Sequence, residues 1–306
     1  MNQKNSSLGK NKGFFHKPVL LNEVIQFLDI KPNELYIDAT CGGGGHTEAI
    51  LKKNGKVFAL DFDPEAVSFV KKRLLLACPN ASFKMVNENF SNLKKILDLH
   101  KIEKAAGIIF DLGTSLHQLK SENRGFSFNI NDPLDMRMNP KLQVKAADLL
   151  NGLGKKELIK LFITYGEEKF SHEIVKEILK KRMEKLIEST EELARIVESV
   201  YAVKRVKTKI HPATKVFQAL RIAVNDEINN LKAVLPQALG ALKEGGRLVV
   251  ISFHGLEDKV VKSYFKEMEN INKLKILTKK PISPSFKEVN NNPNSRSAKL
   301  RCGEKI

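Results

Sequence analysis

Residues 35–47 read LYIDATCGGGGHT, a strand-length apolar run that ends in Asp38 and then breaks into four consecutive glycines, Gly42 to Gly45. A second apolar run, KVFALDFDP over residues 56–64, carries another acid, Asp61. Glycine lets the main chain take positive φ and approach a ligand closely. A helix that starts near His46 aims free N–H groups and a positive dipole end at the same space. An acid about 20 residues further on, at the tip of the next strand, is placed to hold a ribose hydroxyl pair. The dinucleotide pattern G-x-G-x-x-G is nearly complete from Gly42 and Gly44, but Thr47 stands in its third glycine position. The pattern present instead is D-x-x-x-G-x-G from Asp38. It favours S-adenosylmethionine, which brings a methionine tail and an adenosine but no pyrophosphate to cradle. Four glycines alone also fit a flexible turn. Acids at both strand ends turn the reading toward a cofactor over Gly42, Gly44, Gly45 and His46, with Asp61 on its ribose.

Outward from the loop, strand-length apolar runs alternate with helical periodicity. The expected elements are a helix over 22–30, a strand over 34–38, a helix over 47–53 and a strand over 56–62. A helix then opens at Asp63-Pro64-Glu65, with Asp63 as N-cap and Pro64 at the first helical position. Strands over 82–86 and 106–110 follow, the second ending at Asp111. Such alternation predicts an α/β fold with a mostly parallel, doubly wound sheet and its ligand at the carboxyl ends of the strands. After Asp111 the pattern changes. Residues 111–140 are rich in Gly, Ser, Asn and Pro and too long for an ordinary connection. Residues 143–202 show only helical periodicity, with helices expected over 145–151, 155–163, 167–185 and 190–201. The sheet pattern resumes with one long helix over 213–243, stopped by Gly245-Gly246, and a fifth strand over 247–253. Segments 273–278 and 298–302 are expected to pair, with a loop over 281–296 between them. The expected division is a mobile extension over 1–13, a discontinuous cofactor domain over 14–118 and 213–306, and an all-helical insertion over 119–212 that recognises substrate.

The chain has 306 residues, and 52 Lys+Arg against 35 Asp+Glu give a net charge of +17. That balance suits a polyanionic partner such as nucleic acid, although lysine-rich solvated faces produce the same number. Location favours the former: residues 271–306 hold nine Lys/Arg against two Glu, and KRVKTK at 204–209 adds four bases. Neither segment shows the clean apolar face of a membrane-surface helix. No apolar run reaches the length of a bilayer span. The first 18 residues are polar and basic without an apolar core, unlike a secretory leader. Three scattered cysteines, Cys41, Cys78 and Cys302, support neither a disulfide framework nor a zinc site. The expected compartment is therefore the reducing cytoplasm, with no membrane and no metal.

The reacting group of this architecture belongs at the carboxyl end of strand four, where FDLGTSLHQL over 110–119 begins. Methyl transfer from a sulfonium is an in-line displacement that needs alignment more than acid–base power. An exocyclic amino group is a poor nucleophile because its lone pair is delocalised into the ring. An acceptor on its N–H brings it toward tetrahedral geometry, and Asp111, backbone carbonyls or Gln118 are placed to supply one. Asp111 fits a cofactor-side or turn-capping role equally well, and His117 is available as a base or is incidental. RGFSF at 124–128 and DPLDMRM at 132–138 set Phe126 and Phe128 beside Arg124 and Arg137. These four either stack on an unpaired base and hold phosphates or anchor a long loop. ISFHGLEDK at 251–259 brings His254, Glu257 and Asp258 together, too few ligands in register for a metal, with His254 a candidate substrate contact and Asp258 available to cap the next helix.

Together these motifs resemble the bacterial 16S ribosomal RNA cytosine-N4 methyltransferase family (RsmH, formerly MraW). The resemblance runs from His16 to Arg301 through HKPVLLNEV, YIDATCGGGGHT, FDLGTSLHQL, RGFSF, DPLDMRM, YGEEKF, HPATKVFQALRIAVNDE, GGRLVVISFHGLED and NPNSRSAKLR. It implies a class I Rossmann-like methyltransferase fold with a helical insertion. It further implies methylation of a cytidine N4 amino group in the decoding centre, near the P-site codon of the small subunit. Carried over by position, the cofactor residues are Gly44, Gly45, His46, Asp61, Phe90, Asp111 and Gln118, with Phe90 packed on the adenine. The chain departs from the family where Ser115-Leu116-His117-Gln118 replaces Ser-Ser-Pro-Gln and Gly255 replaces a serine. Both changes fall on the substrate side. The expected partner is 16S ribosomal RNA within the small subunit, with a homodimer left open. Rival readings are a small-molecule methyltransferase, which has no use for +17, and a ribosome-assembly protein with weakened catalysis. A nicotinamide oxidoreductase is disfavoured by Thr47.

Overall fold

The apolar runs become strands β1 (Leu35–Asp38), β2 (Lys56–Asp61), β3 (Phe83–Asn87), β4 (Ala105–Asp111) and β5 (Leu242–Ser252). Two more, β6 (Leu274–Ile276) and β7 (Lys299–Lys305), complete a seven-stranded sheet in the order β3-β2-β1-β4-β5-β7-β6. The structure, a computed structural model, describes residues 17–114 and 123–306. β1 to β5 run parallel, and β7 is antiparallel to both of its neighbours. The strand order reverses beside β1, between β2 on one side and β4 on the other. At such a switch point the flanking connections leave in opposite directions and open a crevice at the carboxyl ends.

The central strands read as continuous apolar runs because both faces of the sheet are covered. Ile37, Phe58, Leu60, Ile108, Phe110, Leu248 and Val250 face one layer, while Tyr36, Val57, Ala59, Ile109, Val249 and Ile251 face the other. That is the period-2 alternation of a strand. The second layer consists of α1 (Leu21–Leu28), α2 (Gly45–Lys52) and α3 (Pro64–Ala77), which bury Val24, Leu28, Ile50, Leu51, Val70 and Leu74. The first layer holds α4 (Leu93–Leu99), which was not foreseen from sequence. Asp63 caps α3 as expected, accepting from the Glu65 N–H at 3.0 Å with Pro64 in the first turn.

After β4 the described residues form, in turn, α5 (Ala146–Gly152), α6 (Lys155–Gly166), α7 (Ser171–Glu184), α8 (Thr190–Val203) and α9 (Thr214–Asn225). They share one hydrophobic cluster with Phe126, Leu134 and Met136, apart from the two layers on the sheet. The helix expected over 213–243 is two helices, α9 and α10 (Glu227–Ala241). Asp226 sits between them at φ 51°, in the left-handed region that ends a helix. Asn225 holds the break: its amide donates to the Met136 and Arg221 carbonyls at 2.8 and 2.9 Å, and its Oδ1 accepts from the Met138 N–H at 2.7 Å. Val216, Phe217, Leu220 and Val224 join the helical cluster, while Leu231, Val234 and Leu235 of α10 pack on the sheet. On packing grounds we place the division between the two parts at Asp226 rather than at 212/213.

Two further expectations are corrected. Gly245 and Gly246 do not stop a helix but lie in β5, where a register shift against β4 accommodates Gly245 at φ 71°. The 281–296 segment is not a plain loop: it holds α12 (Phe286–Asn291) and a 3-10 turn, Pro293–Ser297, numbered after α11 (Gly255–Asn270). Glu288 and Asn292 reach the Leu20 N–H and the Lys17 carbonyl at 2.7 and 3.1 Å and so pin the early chain against α12. Among the described residues, no helix is long and apolar enough to cross a membrane.

Candidate active site

The glycine loop leaves β1 and enters α2 beneath the crevice. Gly42 and Gly44 have φ of 50° and 76°, which L side chains rarely adopt. Their reasons for being glycine differ. Gly42 lines the cavity, whereas Gly44 turns away from it, and a Cβ there meets Val70 Cγ1 of α3 at 2.5 Å. At Gly45 a Cβ falls 2.9 Å from Pro18. Arg73 of α3 donates to the Gly43 carbonyl and pairs with Glu48 of α2, tying the loop down from behind.

Asp38 is buried, and Thr47 Oγ1 donates to its Oδ2 at 2.6 Å. The residue in the third glycine slot thus fastens the first turn of α2 to the end of β1, a task a glycine cannot perform. Burial raises the Asp38 carboxyl, partly offset by that hydrogen bond. Asp61 accepts the Gly42 N–H on Oδ2 at 2.7 Å and the Asp63 N–H on Oδ1 at 2.8 Å, so it joins the loop to the tip of β2. Each carboxylate oxygen keeps a second lone pair for a ligand. Burial pushes the Asp61 carboxyl up to about 6 against the pull of the Asp63 and Gly42 N–H groups.

The third acid, Asp111, ends β4, with its N–H on Thr40 Oγ1 at 2.6 Å. His46 Nε2 lies 3.4 Å from Asp111 Oδ2. Both imidazole nitrogens and Asp111 Oδ1 are buried without a hydrogen-bond partner. Buried polar atoms are rarely left so, because each forfeits its hydration. Unmet capacity at the floor of a cavity is what a site for a polar ligand looks like. Phe62 and Phe90 contribute the aromatic wall, with Phe90 edge-on to Phe110 at 5.7 Å. The cavity therefore gathers Gly42, Gly45, His46, Asp61, Phe90 and Asp111 from four separate segments. Gln118 lies outside the described residues, as does the rest of the 115–118 stretch.

Sequence reasoning missed Glu227 and weighed Glu257 only as a metal ligand; both line the same cavity. Glu257 sits in the first turn of α11, where its Oε2 accepts the Phe253 and His254 N–H groups at 2.8 and 3.3 Å. His254 is the N-cap, its Nδ1 accepting from the Glu257 N–H at 3.4 Å. This capping geometry was legible in the spacing H-x-x-E. Asp258 does not cap the helix as expected, but pairs with Arg301 at 2.7 Å and Lys299 at 3.5 Å. Glu227 carried no local signal, because it follows a helix break that the pattern hid. Arg221 takes both of its oxygens at 2.8 Å. Glu227, His254 and Glu257 have ligand-type atoms within 4.8 Å of one another. His254 Nε2 lies 3.1 Å from Glu257 Oε1 but is buried without a hydrogen-bond partner. Burial works to raise the Glu257 carboxyl, but His254 and Arg221 overcome it and hold the group below the ordinary glutamate range.

The four residues read either as an RNA grip or as a loop anchor are engaged within the fold. Phe126 is only 9% exposed in the helical cluster, and Phe128 stacks on His211 at 4.2 Å. Arg124 pairs with Asp63 and Glu65 at 3.0 and 3.2 Å and donates to the Arg137 and Met138 carbonyls. Arg137 is bidentate on Asp135 and donates to the Pro140 and Leu142 carbonyls. Of the two readings of this segment, the geometry matches the loop anchor: exposed aromatics beside free cations are not what the fold provides here.

Relatives that carry the name ribosomal RNA small subunit methyltransferase H align along almost the whole chain. One from Halothermothrix orenii is 42% identical over 309 residues, covering 95% of this chain and 98% of that protein. Those from Carboxydothermus hydrogenoformans and Streptococcus mutans are each 43% identical over 310 residues, covering 96% and 98%. A family model described as the MraW methylase family matches residues 13–306. By that match, and by identities of this size over full length, the chain belongs to the MraW methylase family.

Proposed function

We propose that this protein transfers a methyl group from S-adenosylmethionine to the N4 amino group of a cytidine in the decoding centre (P site) of 16S ribosomal RNA, on the small subunit in the cytoplasm. The observation that carries the reading is the unmet hydrogen-bonding capacity of His46 and Asp111 beside the glycine loop. The relatives' name supplies the substrate class. S-adenosylmethionine supplies an electrophilic methyl on a sulfonium; its acceptance by an amino nitrogen leaves a neutral thioether and releases one amino proton.

The chain's own residues divide the work. Gly42 and Gly45 let the main chain come close, and the open N–H groups of α2 face the carboxylate of the methionine tail. Asp61 accepts from the ribose hydroxyls, while Phe62 and Phe90 pack on the adenine. His46 and the inner edge of Asp111 hold the cofactor side of the reacting centre. Asp111 accepts an amino N–H, localises the nitrogen lone pair and stabilises positive charge as it develops there. The family resemblance adds Gln118 to the cofactor residues. The helical part, with the exposed bases Arg205, Lys207 and Lys209 between α8 and α9, presents cations to the RNA backbone. The fold-bound Arg124, Phe126, Phe128 and Arg137 shape this surface from below.

The test is transfer of labelled methyl to small-subunit particles from cells that lack the enzyme, followed by mass-spectrometric mapping of the product. The expected result is one N4-methylated cytidine. Label on any other position, or none, sinks the proposal.

A further inference from the structure

We infer that Glu257 reads the acceptor base, taking a hydrogen bond from its exocyclic amino group and so selecting cytosine over uracil. The inference rests on the reading of the acceptor as a cytidine amino group. It assigns the selection to a residue outside the glycine loop and outside the end of β4.

Glu257 lines the cavity together with Asp111, Leu112 and Gly113, but comes from a different element, the first turn of α11. Its side chain is buried and fixed. Oε2 is held by the Phe253 and His254 N–H groups at 2.8 and 3.3 Å, and Oε1 lies 3.1 Å from His254 Nε2. A carboxylate pinned on one oxygen is a preorganised acceptor that has no rotamer search to make when a base arrives. Glu227 adds a second negative charge to the same wall, but Arg221 holds both its oxygens at 2.8 Å, which leaves Glu257 as the acceptor that faces the base.

An exocyclic amino group has two N–H bonds. One directed to Asp111 and one to Glu257 place the nitrogen between two carboxylates, with its lone pair free to point along the line of transfer. Uracil presents a carbonyl oxygen at the same position. Two acceptors then face each other in a buried site, and neither can recover its hydration. The wall rejects the wrong pyrimidine by mismatched polarity.

Glu257→Gln tests this without dismantling the helix, since glutamine serves at the same capping position. The two backbone N–H groups hold the amide carbonyl oxygen, which leaves the amide NH2 as the group that faces the cavity. The polarity of the wall is thereby inverted at nearly constant shape. Wild type and E257Q, each saturated with S-adenosylhomocysteine, would be titrated with single-stranded oligonucleotides of the target sequence carrying C or U at the methylated position. The affinity of each protein for S-adenosylhomocysteine and its thermal midpoint would be measured alongside. Wild type should favour C by at least about 10-fold, and E257Q should lose or reverse that preference with S-adenosylhomocysteine affinity within about twofold. An unchanged C-to-U ratio overturns the inference. So does a variant that loses cofactor affinity and thermal stability together, because Glu257 then serves the fold. A wild-type product without N4-methylcytidine is a separate failure and sinks the underlying reading, whatever E257Q does.

Discussion

The cavity at the ends of β1 and β4 and the 124–138 segment both present polar and aromatic side chains in sequence patterns that suggest chemistry. They differ in spare bonding capacity. At the cavity, His46 Nδ1, His46 Nε2 and Asp111 Oδ1 are buried with no hydrogen-bond partner. In the segment, Arg124 spends its guanidinium on two carboxylates and two carbonyls, and Arg137 on one carboxylate and two carbonyls. A guanidinium has five donors in a rigid fork, and here they stitch a long excursion of chain to itself and to α3. Side-chain type and motif do not separate the two cases; the hydrogen-bond inventory does.

The largest expected effect breaks or upholds the cavity half of that contrast. Asp111→Asn keeps the shape and removes the charge, and methyl transfer should fall about 10³-fold. The affinity for S-adenosylhomocysteine, followed by calorimetry, distinguishes the two roles left open for this residue. Unchanged affinity puts Asp111 on the acceptor, whereas a parallel loss puts it on the cofactor. A near-normal rate removes it from the chemistry altogether.

The segment half predicts a stability effect instead. Arg124→Ala removes the guanidinium that pairs with Asp63 at the buried cap of α3 and ties the segment to it. The expected cost is about 3 kcal/mol in denaturant unfolding. RNA affinity of the folded fraction, and its salt dependence, should stay as they were. A variant of normal stability with weakened RNA binding would mean that the cation is available to phosphate after all, and the comparison would fail.

Gly44→Ala sharpens the distinction inside the glycine loop. The added methyl meets Val70 Cγ1 at 2.5 Å, and φ is 76°. Overpacking together with a left-handed alanine should destabilise the protein by about 2 kcal/mol. Because Gly44 does not line the cavity, folded protein should keep most of its cofactor affinity. Affinity lost with stability intact would return Gly44 to the binding surface.

The sheet was legible because its strands are buried on both faces and therefore read as uninterrupted apolar runs; KVFALD and GIIF leave little choice of element. Asp38, Asp61 and Asp111 were legible for a related reason: an acid that ends such a run must sit at a carboxyl edge. The break at Asp226 was not. Apolar periodicity continues across it, and what holds the break is Asn225 bonded to Met136 and Met138, roughly 90 residues away in sequence. Glu227 stayed hidden for that reason. Glu257 was visible as the fourth residue of H-x-x-E, but its spacing was weighed as a metal pattern rather than as a cap that aims a carboxylate into the crevice. The aromatic pair Phe126 and Phe128 shows the opposite error. A phenylalanine beside arginine in a Gly- and Ser-rich stretch resembles a stacking platform until the helical core that buries it is known.

The smallest expected effect concerns Asp61, and it separates the loop's structural work from its binding work. Its carboxyl is pushed up to about 6 from an ordinary 3.8. An acid raised in the folded state contributes stability that is fully present below pH 3.8 and is lost as pH rises through about 6. For the ligand-free protein, this group therefore favours the acid side of that window. Cofactor binding has the opposite sign, because a ribose hydroxyl donates best to the ionised carboxylate. Affinity for S-adenosylhomocysteine should be highest above pH 6 and fall by at most about tenfold per pH unit below it. Calorimetric titrations from pH 5 to 7, with Asp61→Asn as the control that lacks the titrating group, measure that slope directly. An equally flat profile in both proteins would leave Asp61 as the clasp that holds Gly42 and Asp63, with no part in holding the ribose.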